Sequence, residues 1–252
     1  MRWLIVEDYE ALSGEAAELV AREVREKPDA VLGLATGSTP VGMYQELIRQ
    51  HQAGNLDFSR ITTFNLDEYV GLSATHPQSY RVFMHETFFQ HVNVQPERIH
   101  IPCGDAADLD EECDRYERAI QAAGGIDLQI LGIGGNGHIG FNEPGSPVSS
   151  RTRVVDLAQR TITDNARFFA SIEEVPTKAV TMGIQTILEA KKIVLLACGA
   201  SKAEAMQRML EGEITPGVPA SLLREHPDVT VIMDRQAAAR LSERFLDPKH
   251  VL

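Results

Sequence analysis

Residues 132–146, GIGGNGHIGFNEPGS, hold six glycines, one histidine (His138) and one glutamate (Glu143), directly after the apolar run IDLQIL. Histidine is the side chain best suited to moving protons near neutral pH. The stretch also opens as G-x-G-x-x-G, which raises a second chemistry, dinucleotide binding. That motif needs a helix directly after its glycines, to hold the pyrophosphate, and an acid about 20 residues on. Asp156 stands near the right distance, but HIGFNEPGSP follows the glycines, with Pro144 and Pro147 and no helical period. The helix is missing, so the NAD reading fails. What remains is His138 and Glu143 on a loop whose glycines, Gly137 among them, let backbone approach a ligand closely.

Three other loops carry polar residues of the same kind. Thr36-Gly37-Ser38-Thr39-Pro40 follows AVLGLA. It offers hydroxyls and a glycine turn, and its proline suits the start of a helix. Free amides at such a start hold anions, although the same loop also serves as a plain helix start. The P-loop spacing is absent. Asn65-Leu66-Asp67-Glu68-Tyr69 follows RITTF. The two adjacent acids point opposite ways if strand geometry persists, which gives them different roles; a helix or turn cap is the competing reading. Gly199-Ala200-Ser201-Lys202 follows KIVLLAC and precedes a helical stretch, Ala203–Leu210. A cation at a helix N-terminus opposes the macrodipole unless an anion lies between them, so Lys202 hints at a bound phosphate. A proton-shuttling histidine, carboxylates and an anion clamp together fit acid–base chemistry on a phosphorylated metabolite. No H-E-x-x-H, paired Cys/His spacing or G-x-S-x-G elbow is present, so neither a metal nor a cofactor is expected.

These loops need strands that end beside one another. Short apolar runs at Trp3–Glu7, Ala30–Ala35, Arg60–Leu66, Arg98–Pro102, Asp127–Ile133, Arg151–Leu157, Lys192–Cys198 and Val229–Asp234 read as strands. Helical periodicity separates several of them. Asp8–Lys27 repeats apolar residues at Leu12, Ala16, Leu19, Val20 and Val24, with Asp8 as N-cap, and Gln78–Val92 and Asp108–Ala123 are similar. Near-continuous apolar strands suit a parallel sheet covered on both faces. The expected fold is therefore α/β, Rossmann-like and doubly wound, with a mostly parallel sheet, helices on both faces, and ligands at the strands' carboxyl ends. The 252 residues, 43% hydrophobic and 24% charged, read as one domain over 1–252. A formal charge of −12 disfavours nucleic acid. Cys103, Cys113 and Cys198 are scattered and read as reduced thiols. The start lacks a signal-peptide pattern and no run reaches membrane-span length, so a cytoplasmic protein with no membrane partner is expected.

Seven segments, LATGSTPVGMY, TFNLDEYVGL, HPQSYRVFMHETFF, GIGGNGHIGFNEPGS, SRTRVV, NARFF and GASKAEA, taken in this order, resemble the glucosamine-6-phosphate deaminases, over nearly the whole chain. The resemblance implies a Rossmann-like α/β/α sandwich and an aldose–ketose isomerisation with deamination. D-glucosamine 6-phosphate and water would give D-fructose 6-phosphate and ammonia. By that resemblance, Asp67 moves a proton between C2 and C1, His138 opens the sugar ring, and Glu143 with Asn136 assists and orients the histidine. Thr36, Gly37, Ser38, Thr39, Arg167 and Lys202 match the phosphate site, with Gly137 a further substrate contact. Many members carry Asp where Asn136 stands; an Asn carbonyl can accept an imidazole N–H but brings no charge. The 6-phosphogluconolactonases share a similar glycine loop but lack Asn142-Glu143-Pro144 and need no C2 base. Two rivals stand beside them: a galactosamine-6-phosphate isomerase, whose substrate differs at a single hydroxyl, and a non-catalytic sugar-phosphate sensor. Some deaminases are hexamers activated by N-acetylglucosamine 6-phosphate at an intersubunit site that uses a lysine after SRTR and a C-terminal tyrosine. Here Val155 takes the lysine's place, Asp156 follows, and the tail SERFLDPKHVL has no tyrosine. Loss of that activation is expected. A monomer is then compatible with the sequence, and a homo-oligomer remains open.

Overall fold

The computed structural model describes residues 1–166 and 169–246. In chain order the elements are β1 (Arg2–Val6), α1 (Tyr9–Glu26), β2 (Val31–Leu34), α2 (Val41–Gln52), β3 (Thr62–Asn65), β4 (Asp67–Tyr69), α3 (Tyr80–Thr87), β5 (Ile99–His100), α4 (Leu109–Ala122), β6 (Leu128–Gly132), β7 (Arg153–Asp156), α5 (Gln159–Asn165), β8 (Lys178–Thr181), α6 (Ile184–Leu188), β9 (Lys192–Ala197), α7 (Ala203–Glu211), β10 (Val229–Asp234) and α8 (Glu243–Leu246).

Seven strands form one parallel sheet in the order β1-β10-β9-β6-β2-β3-β5, with helices on both faces. From β2 the chain winds outward through β3 to β5, then returns beside β2 at β6 and winds the other way through β9 to β10. The reversal makes β2/β6 the topological switch point, and crevices for ligands open there at the carboxyl ends. The central strands are buried on both faces, as their unbroken apolar sequences require. α1 begins where Asp8 accepts the Ala11 amide at 2.9 Å and buries Leu12, Ala16, Val20 and Val24, the stripe its sequence spells. Each fully buried aliphatic side chain contributes about 1.5–3 kcal/mol.

α1 also braces a loop. Tyr9 Oη donates to the Ser38 carbonyl at 3.0 Å and accepts from the Gly42 amide at 2.8 Å. The close approach requires a glycine, since a Cβ on Gly42 would lie 2.2 Å from Ser13 Oγ.

A second, smaller antiparallel sheet, β4-β8-β7, was not legible in the sequence. Asp67–Tyr69 is a strand rather than loop, and Lys178–Thr181 is its partner. Asp and Glu are poor strand formers, and four-residue KAVT is too short to show a period. The strand expected over 151–157 exists as β7 but belongs to this small sheet. The helix expected over 78–92 is α3 alone, capped by Ser79 Oγ, followed by a separate short turn at Phe89–His91. Among the described residues no helix is long and apolar enough to cross a membrane.

Candidate active site

The four loops singled out by sequence follow β9, β6, β2 and β3, which are consecutive neighbours in the sheet. Their residues therefore line one edge of the molecule, centred on the switch point.

The glycine loop after β6 is built around its histidine. A Cβ on Gly134 would lie 2.2–2.4 Å from the His138 ring, so that glycine leaves the space the imidazole fills. Gly134 N–H donates to the His138 carbonyl at 2.9 Å, and the Gly137 amide donates to the Gly134 carbonyl at 2.9 Å. Gly137 takes a φ of +90° and packs on Val218, while its carbonyl accepts from Ala220. Both its polar groups pair within the protein, so it shapes the loop.

Glu143 faces His138 across 3.4 Å, from Oε1 to the buried Nδ1. That separation is an ion-pair contact once the ring is charged and too loose for a good hydrogen bond. Oε1 accepts from Thr161 Oγ1 at 3.0 Å and Oε2 from Asn136 Nδ2 at 2.6 Å. Burial alone would raise the Glu143 carboxyl, but His138, then Asn136 and Thr161, outweigh it and hold the carboxyl below its ordinary value. Asn136 corrects one expectation. Its carbonyl oxygen accepts from the His138 backbone N–H at 3.2 Å, not from the imidazole. It reaches the ring only through Glu143.

The two acids after β3 do different jobs. Glu68 accepts the backbone amides of Tyr69, Tyr80 and Arg81 at 2.9, 2.9 and 3.0 Å, which pins the start of α3. Asp67 is 6% exposed, and among the described residues none donates a hydrogen bond to it. Burial, then the neighbouring Glu68, pushes its carboxyl up to about 8. The small sheet carries Asp67 to the glycine loop. Its register partner Thr181 accepts from the Phe141 amide at 3.1 Å, and Asn142 Nδ2 donates to the Met182 carbonyl at 2.8 Å. Gly140, at a φ of +55°, leaves only 3.5 Å between Asp67 Oδ2 and the place a Cβ would occupy. Asp67 therefore lies against the loop that carries His138 and Glu143.

Thr36 lies near the Tyr80 hydroxyl. That hydroxyl donates to Tyr69 Oη at 3.2 Å, and burial raises Tyr80 well above its ordinary value. Tyr80 lies parallel to Phe141 with centroids 6.3 Å apart, forming an aromatic wall. Gly37 turns at a φ of +89°, and Gly37 and Ser38 are exposed. Gly199 turns at +90°, its amide held by Asp234, and places Lys202 at the head of α7. Arg167 lies outside the described residues. Tyr80, Thr161 and Thr181 were not singled out from sequence. None stands in a glycine-rich loop after a main-sheet strand, the signal that marks the others. Among the described residues no three His, Cys, Asp or Glu side chains are grouped to hold a metal ion.

Residues 7–232 match the model of the family described as glucosamine-6-phosphate isomerases/6-phosphogluconolactonase. The chain is 58% identical over 243 residues to glucosamine-6-phosphate deaminase 2 of Bacillus subtilis, covering 96% of this chain and 98% of that one. It is 55% identical over 252 residues to the glucosamine-6-phosphate deaminase of Thermoanaerobacter pseudethanolicus, covering all of both chains. A solved structure of a monomeric glucosamine-6-phosphate deaminase superposes with a TM-score of 0.93 at 55% identity, over 95% of this chain and 100% of that one. With its glycine loop, its switch-point crevice and this full-length likeness, the chain belongs to the glucosamine-6-phosphate isomerase/6-phosphogluconolactonase family.

Proposed function

We propose that this protein is a cytoplasmic glucosamine-6-phosphate deaminase that acts as a single domain and needs neither metal nor cofactor. The observation that carries the reading is the approach of a buried carboxylate, Asp67, without a hydrogen-bond donor among the described residues, to the glycine loop that holds the His138–Glu143–Asn136 array. A lactonase needs a group to activate water and no second base at a carbon acid. Asp67 on its own strand suits that second base, and this favours the deaminase within the family.

The reaction divides between the two groups. His138 takes the proton from O1 of the pyranose and returns it to the ring oxygen, so the ring opens to the aldehyde. Glu143 faces Nδ1 and stabilises the imidazolium formed in that exchange. Once the aldehyde exists, the C2 proton is acidic. Asp67 in its carboxylate form removes that proton and delivers it to C1 through an enolamine. The C2 imine that results adds water and expels ammonia, leaving D-fructose 6-phosphate. A base whose own value lies near the working pH suits both removal and return of a proton. The sugar's phosphate is held by the Thr36–Thr39 amides and hydroxyls, by Lys202 at the head of α7, and by Arg167.

The test is ammonia release from glucosamine 6-phosphate, run beside galactosamine 6-phosphate and 6-phosphogluconolactone. Turnover of glucosamine 6-phosphate that survives exhaustive chelation is expected. Faster turnover of either other substrate, or dependence on an added divalent ion, overturns the reading.

A further inference from the structure

We propose that Thr161 is a positioning residue that fixes the Glu143 carboxylate against His138 and so ties helix α5 to the proton-transfer site. This inference rests on the deaminase reading given above and adds a residue to it.

A glutamate's terminal torsion is broad and nearly free, so a carboxylate held at one oxygen can swing the other away from its target. Glu143 is held at both. Asn136 holds Oε2 at 2.6 Å from within the glycine loop. Thr161 holds Oε1 at 3.0 Å, and Oε1 is the oxygen that lies 3.4 Å from His138 Nδ1. Thr161 thus sets the distance from carboxylate to imidazole. It is also the one contact of this set that comes from a different element. Among the described residues, His138 is the titratable group facing Glu143; Asn136 and Thr161 are neutral.

The place of Thr161 is set by packing. α5 follows Leu157, which is buried with Tyr69, Phe141 and Ala179, and the next residue, Ile162, packs on that same cluster. The cluster lies on the small sheet that carries Asp67. A shift of α5 relative to that sheet would therefore remove one of the two anchors of Glu143 while leaving the glycine loop in place. α5 also leads directly toward Arg167 in the chain. The threonine hydroxyl links the segment carrying a phosphate-binding candidate to the group that supports ring opening.

The test uses Thr161→Val, which keeps the β-branched shape and loses the hydroxyl, with Thr161→Ser as the conservative control. The first readout is the titration of Glu143 by 13C NMR of labelled glutamate carboxyls, assigned from Glu143→Gln. It needs no substrate. In Thr161→Val the midpoint should move up from its lowered wild-type position, because a hydrogen bond to the charged form is lost. The second readout is ammonia release. In Thr161→Val, kcat should fall roughly 10- to 150-fold, the effect of one hydrogen bond to a charged group, with KM within about twofold. Thr161→Ser should restore both readouts. An unchanged Glu143 titration in Thr161→Val overturns the proposal, as does a serine variant as impaired as the valine one. Absence of ammonia release by the wild type would overturn the deaminase reading instead, and the titration would still decide the contact.

Discussion

Asp67 carries opposite demands of stability and chemistry. Its carboxyl, pushed up to about 8 by burial, keeps its proton in the folded protein at pH values where the unfolded chain has lost it. The stability associated with Asp67 is therefore present at acid pH and is lost progressively as pH rises from the ordinary carboxylate value toward about 8. Asp67→Asn is neutral at every pH. It should abolish turnover and raise the melting temperature by a few degrees at pH 8, about 1–3 kcal/mol, with a smaller gain at pH 5. Thermal unfolding at the two pH values checks this; a variant less stable than wild type at pH 8 contradicts it. The same raised value makes kcat/KM climb as pH rises toward about 8, because only the carboxylate form removes the C2 proton. At this scale His138 and Glu143 stood out in the sequence because a glycine-rich loop after an apolar strand carries them, whereas Asp67 read equally as a cap and lies on a strand of its own. The sequence was uninformative about how they touch. The Asn136 side chain looked poised for the imidazole, and instead its amide holds Glu143 while its oxygen holds backbone. Such a choice depends on loop torsions that residue types do not encode.

The elements show why the adjacent acids cannot exchange roles. Glu68 satisfies three backbone amides at the junction of β4 and α3. Glu68→Ala should leave those donors without a partner and destabilise the protein by about 2–4 kcal/mol. Denaturant unfolding measures this; a loss under half a kilocalorie would show that water replaces the carboxylate. Tyr80, the first residue of α3, should shift with it, and turnover should fall through the aromatic wall. The anion clamp belongs to the same scale. Lys202→Ala should weaken binding of glucosamine 6-phosphate by roughly 1.5–3 kcal/mol, and unphosphorylated glucosamine should bind poorly to both proteins. Equal affinity for glucosamine with and without its phosphate would remove Lys202 from the clamp. The main sheet was readable strand by strand because parallel, doubly covered strands spell unbroken apolar runs. The small sheet was not. Its strands have three or four residues each, and its register is set by Thr181 and Met182 gripping the glycine loop, a contact between segments 40 residues apart.

Across the whole molecule, the packing of residues 150–153 bears on control as well as chemistry. Arg151 and Arg153 follow Ser150 in the segment that some deaminases use to bind an activating sugar phosphate. Here the Arg151 guanidinium is clamped by both oxygens of Glu189 and approached by Glu117, and Arg153, half-buried, donates to Asn142 at 2.9 Å. An effector phosphate would have to displace these carboxylates, and like charges oppose it. Substrate-saturation curves should be hyperbolic and should superimpose with and without N-acetylglucosamine 6-phosphate; sigmoidal curves that straighten with the effector would contradict this. The proposed mechanism centres on two proton transfers by two groups, and exchange of the C1 proton of fructose 6-phosphate with D2O in the presence of ammonium separates them. The 2-keto sugar needs no pyranose opening, so His138→Gln should retain exchange within roughly tenfold of wild type, whereas Asp67→Asn should lose it by about 10²–10⁴-fold. Exchange that persists in Asp67→Asn, or that falls equally in both variants, would contradict the division of labour proposed for this site.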